Sequence, residues 1–144
     1  MKDINLIENE KGATAVETAI IIMLLLTFIF GIIEFGLLLF NQQVLTNASR
    51  EGARQGIVVG LGRSGGDAAE FRTWSEYVAD DYCADHLVTF GSGDLTILTV
   101  HNDLDGDGPS RGDDLTVSIT YDYVFSFFPF PTVPLHADTI MKLE

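Results

Sequence analysis

The sequence predicts an α+β protein: a long N-terminal membrane and stalk helix, then a small domain in which one helix packs on an antiparallel sheet of about three strands. Three observations predict it. From Ala13 to Phe40 the only charged residues are Glu17 and Glu34. Phe71, Trp74, Val78 and Tyr82 recur at helical spacing. From Leu95 onward the apolar residues alternate with period two, the signature of half-buried strands.

The charged stretch before Gly12 reads as a leader, residues 1–12. A secretory signal fits poorly, because its small-residue cleavage site follows the apolar core, whereas here the small residues precede it. The apolar run from Ala13 is long enough to span a bilayer, which takes about 20 residues. A domain this small could not cover such a helix on all sides. Glu17 lies near the start of the span, where a carboxylate in lipid is expensive and demands a reason. It either pairs with a positive group on a neighbouring helix or lies at the headgroup level beside Lys11. Glu34 either pairs with a partner inside a helix bundle or sits at the far interface, which is favoured because Asn41, Gln42 and Gln43 follow within two turns.

Helical character continues past the membrane to about Val58, with no Pro and no turn cluster. At 1.5 Å per residue the helix from Ala13 would reach ~70 Å, about twice the ~30 Å of hydrocarbon. Residues 13–60 therefore form a transmembrane helix and stalk. Ala48, Gly52 and Gly56 are spaced four apart and share one face. Small residues so arranged either admit a close helix neighbour or mark a helix losing its hold, and Gly60 fits its end.

Residues 61–144 form the distal domain. Gly60-Leu61-Gly62-Arg63-Ser64-Gly65-Gly66 reads as a hinge, and Asp67 can cap the next helix, 68–86. Its aromatic stripe fits a core face. Leu95, Ile97 and Thr99 oppose Thr96, Leu98 and Val100, and Leu115, Val117, Ile119, Tyr121, Tyr123 and Phe125 line one face of a second strand. Residues 135–143 alternate as a third. The proline-broken apolar loop 127–134 either meets a partner or the membrane or folds over the core. Cys83, the single cysteine, cannot form an intrachain disulfide; it is either a small buried apolar residue or a crosslink to a partner.

The connection between the first two strands carries a cation-loop pattern. Asp103, Asp105, Asp107, Gly108 and Asp114 stand at places 1, 3, 5, 6 and 12 of a calcium loop. Asp at place 12 has a shorter arm than the usual Glu, and Arg111 at place 9 opposes a cation. The same residues also suit a plain acidic turn. Calcium is the one cofactor the sequence suggests.

A net charge of −13 with 8 basic residues argues against nucleic-acid binding and against a polybasic lipid anchor. No catalytic set emerges: His86, His101 and His136 lie far apart in sequence, beside no obvious nucleophile. The chain reads as non-enzymatic.

The string Glu10-Lys11-Gly12-Ala13-Thr14-Ala15-Val16-Glu17 resembles the class III signal of type IV pilins and pseudopilins. Gly31-Ile32-Ile33-Glu34-Phe35-Gly36, with Leu45-Thr46-Asn47-Ala48-Ser49-Arg50-Glu51-Gly52-Ala53-Arg54, resembles the TadE-like pseudopilins of tight-adherence (Flp, type IVc) pilus systems. Thr18 stands where an aromatic residue is usual in these systems. The resemblance implies that a prepilin peptidase cuts between Gly12 and Ala13, making Glu17 the fifth mature residue. It implies a single-pass inner-membrane protein with its C-terminal domain on the outer face. The implied partners are other pilin-like subunits and the pilus assembly platform. The alternative from a different class is a membrane-anchored module that binds calcium or a partner and has no filament role.

Overall fold

The computed structural model describes residues 4–62, 68–89, 93–103, 112–127 and 130–143. The order is α1 (Ile4–Gly62), α2 (Ala68–His86), β1 (Leu95–Asn102), β2 (Asp114–Tyr123) and β3 (Val133–Lys142). The strands make one antiparallel sheet with β2 in the centre. This is the expected α+β architecture, with α2 at its expected bounds. The helix starts earlier than Ala13: the leader from Ile4 is already helical. The proposed hinge lies outside the described residues beyond Gly62, as does Asp67.

By internal packing the chain falls into two units, residues 1–36 and residues 37–144. The first unit, residues 1–36, is helical from Ile4. Every residue from Gly12 to Phe30 is exposed, so the helix has no protein cover over the length of a bilayer. Two hydroxyls in this stretch are satisfied locally, as an apolar solvent requires. Thr18 Oγ1 donates to the Thr14 carbonyl and Thr27 Oγ1 to the Met23 carbonyl, both at 2.9 Å.

The second unit, residues 37–144, is built on the rest of α1. What hydropathy suggested as a stalk is here a core element. Leu45, Ala48 and Ala53 of α1, Ala79 and Cys83 of α2, and Val117, Ile119 and Tyr121 of β2 pack in one cluster. β2 supplies its inner face by strict alternation: Leu115, Val117, Ile119, Tyr121 and Tyr123 are buried, and the residues between them are half-buried. The register sets Ile97 opposite Ile119 and Ile119 opposite Ala137, which aligns the core face across all three strands. α1 is tied to β3 by Gln42 Nε2, which donates to the His136 carbonyl (2.8 Å), and by the paired hydroxyls of Ser49 and Thr139 (2.8 Å).

One polar residue holds the end of α2 against α1. Asn41 is fully buried. Its Nδ2 donates to the Val88 carbonyl at 2.8 Å, and its Oδ1 accepts the Val88 amide at 3.0 Å. The side-chain amide thus pairs with the backbone just past α2 as a strand would. Asn41→Leu should destabilise the domain by about 2–4 kcal/mol, because a backbone donor and acceptor are orphaned together. A urea titration of the full chain in detergent measures it.

Candidate functional site

The first candidate lies on α1. Gly12, Ala13 and Glu17 are exposed in a continuous helix, with Ala13 and Glu17 one turn apart on one face. A Cβ built on Gly12 meets no atom within 4 Å, so nothing in the fold demands glycine there. Glycine still lowers helix stability by up to ~1 kcal/mol at this point, which eases local opening of the Gly12–Ala13 bond. Only 2% of Glu34 is exposed.

The second candidate is the small-residue face of α1, and the structure gives it an occupant. A Cβ at Gly52 would lie 2.8 Å from the Ser75 carbonyl oxygen and 3.1 Å from Ala79 Cβ. At Gly56 it would collide with Ser75 Oγ and come within 2.9 Å of Leu115 Cδ2. Ala48 is fully buried in the same core. Within this chain, α2 lies against Gly52 and Gly56.

This docking changes the reading of α2. Its buried face is Ser75, Ala79 and Cys83, four residues apart. The aromatic stripe was expected in the core, yet Trp74 is 42% exposed and Val78 and Tyr82 are half-buried; the Phe71 side chain lies outside the described residues. Small faces small, so the helix axes come close and the large rings are left at the flanks. Tyr82 stacks on His86 at 4.2 Å. Cys83 is fully buried, and burial, with a smaller contribution from Asp80, pushes its thiol up to about 11. Such a thiol stays protonated and unreactive near neutral pH.

The third candidate is the β1–β2 connection. Asp103 and Asp114 are described; Asp105, Asp107, Gly108 and Arg111 lie outside the described residues. The flanking elements are strands, closed at the base by the Asn102–Asp114 pair. Among the described residues, buried Asp114 Oδ1 has no hydrogen-bond partner. His101 Nε2 lies 3.4 Å from Asp113 Oδ2, both side chains nearly fully buried. The chain end closes beneath them: Gly112 donates to the Leu143 carbonyl (2.8 Å) and Leu143 to the Asp113 carbonyl (2.9 Å). Gly112 has φ 105°, which favours glycine.

The apolar loop is partly described. Phe130 packs edge-on against Phe125 at 5.6 Å, and Phe125 against Tyr123 at 5.3 Å. Phe125 is half-buried against the core, while Phe127 and Phe130 are exposed; residues 128–129 lie outside the described set. Asn41 was missed as an anchor because its partner is 47 residues away, and no local pattern marks such a pair.

No curated protein and no solved structure matches the chain. By length and composition α1 can cross a membrane over Gly12–Val59. A family model does match, and its match begins at Gly12, where the apolar run begins. Residues 12–54 match the family described as TadE-like protein.

Proposed function

We propose that the protein is a pilin-like structural subunit of a tight-adherence pilus system, cut after Gly12 by a prepilin peptidase. The mature chain then starts at Ala13 and sits in the inner membrane through α1, with residues 37–144 on the outer face. The observation that carries this reading is the coincidence of two boundaries at Gly12. The family match begins there, where the charged leader ends and the apolar run takes over. Cleavage frees an amino group on Ala13. On a packed neighbour, that amine can reach Glu17, one turn along the helix. A lipid-embedded carboxylate is costly unless paired, so subunits out of register are strongly disfavoured. Other pilin-like subunits and the assembly platform are the partners this implies.

Co-expression with a prepilin peptidase tests the reading. The wild-type chain should lose residues 1–12, and Gly12→Ala should keep them. Since a Cβ at Gly12 has open space, that substitution reports on the peptidase and not on folding. A wild-type chain that stays intact contradicts the proposal.

A second reading concerns the β1–β2 connection, and the orphaned Asp114 Oδ1 favours it. We propose that Asp103, Asp105, Asp107 and Asp114 hold a calcium ion weakly. Calorimetry on the full chain in detergent should then show saturable calcium-dependent heat in the range of about 0.1–1 mM, that of weak extracellular modules. Asp105→Asn should diminish it. Absence of heat at millimolar calcium removes the site.

A further inference from the structure

We propose that the open edge of β1, beside α2, accepts an extended basic segment of a partner protein as a fourth strand. Among the described residues, β1 ends the sheet and pairs only with β2. Its hydrogen-bonding direction is fixed at two points. The Asp94 carbonyl accepts the Asp122 amide, so even-numbered residues face β2. Thr99 faces the other way, and α2 takes both of its groups: Glu76 Oε1 accepts its amide (3.3 Å) and Arg72 Nε donates to its carbonyl (3.0 Å). Leu95 and Ile97 share the outward direction of Thr99, and among the described residues no group pairs with their outward amides or carbonyls. The edge is thus stoppered at Thr99 and open before it, over a length that suits a strand of four or five residues.

The surroundings of that open stretch define the occupant. A cleft of about 310 Å³ runs between Leu95 and Ile97 on one side and Glu76, Tyr77 and Asp80 on the other. A second hollow of about 200 Å³ continues it and shares Asp80 and Leu95. Tyr77, 61% exposed, lines the first cleft and meets Trp74, 42% exposed, edge to face at 6.0 Å. Backbone groups, two carboxylates and exposed aromatic faces together match a strand carrying Lys or Arg, by ladder bonds, charge and cation–π contact. A second copy of this chain fits worse: pairing β1 with β1 sets Glu76 and Asp80 of each copy against the other, on a chain of net charge −13. The opposite edge is less open, since α1 holds the His136 carbonyl through Gln42 and β3 carries Pro134.

The test uses the full-length ¹⁵N-labelled chain in detergent micelles and a short synthetic peptide alternating Lys and Val. Saturable binding is expected, with the Leu95 and Ile97 amides, fast-exchanging in the free protein, slowed roughly tenfold or more. Asp80→Lys, on the exposed side of α2, should weaken binding roughly tenfold through loss of one charge-assisted contact. The same peptide N-methylated at alternate residues, which cannot form the ladder, should not bind. Equal binding of the N-methylated peptide, or of a peptide alternating Glu and Val, overturns the proposal. So does binding that leaves the Leu95 and Ile97 amides unprotected.

Discussion

Glu17→Leu should leave the chain cleaved after Gly12 and membrane-bound, yet keep it out of assembled filaments. The substitution lowers the cost of insertion, because a carboxylate in a span is unfavourable and leucine is not. The helix should persist, since leucine has high helix propensity and the Thr14–Thr18 bond beside it is local. On the proposed function, what disappears is the counter-charge for an incoming subunit's Ala13 amine. An amine left unpaired in a low-dielectric bundle costs about 3–5 kcal/mol, which reduces incorporation by more than a hundredfold. The readout is the share of tagged subunit in sheared filaments relative to the membrane fraction. Glu17→Gln should fail in the same way, because it keeps the shape and loses the charge. Normal incorporation of either variant is the contrary result.

Gly52→Val should unfold the domain of residues 37–144 under conditions where the wild type is stable. The new Cβ would sit 2.8 Å from the Ser75 carbonyl oxygen, a backbone atom that cannot turn aside. α2 must then move off α1, opening a core in which Ala79 and Cys83 are fully buried. Overpacking costs about 1–3 kcal/mol, and a β-branched residue adds to it by crowding the helix. For a domain of this size that lowers Tm by roughly 5–20 °C. Gly52→Ala is the milder form: the clash remains, offset by up to ~1 kcal/mol of helix propensity. Gly36→Ala is the control. Nothing lies within 4 Å of its Cβ, so it should leave stability unchanged or raise it slightly. Thermal melts of the three variants in detergent, followed by far-ultraviolet circular dichroism, separate these outcomes.

These two sites also show where sequence reasoning succeeds and stops. Alternation from Leu115 to Tyr123 identified the inner face of the central strand, because period two leaves only one burial pattern. The bounds of α2 followed from its helical periodicity. Its buried face did not: a stripe of large rings outweighs Ser75, Ala79 and Cys83 in any hydropathy pattern, yet a helix meeting Gly52 and Gly56 must present small residues. Spacing showed that Ala48, Gly52 and Gly56 share a face, but it could not name what lies there. The boundary at Gly36/Leu37 was hidden for a related reason. An apolar helix reads alike whether lipid or a sheet covers it, and α1 carries one kind of surface before that point and the other after it.

The cation-loop pattern, by contrast, was legible as spacing alone. Two of its four carboxylates are described, and of these Asp114 has a buried oxygen with no hydrogen-bond partner among the described residues. The edge of β1 had no sequence signature at all. Its openness emerges only when Thr99 shows which way the alternate amides face.

The most direct measurement is the N-terminal residue of the protein isolated from the membranes of cells that carry its pilus system. Ala13 with a free α-amine, one turn from Glu17, is the result expected of a pilin-like subunit. A chain that still begins at Met1 would contradict it, since no amine would then be placed to meet that carboxylate.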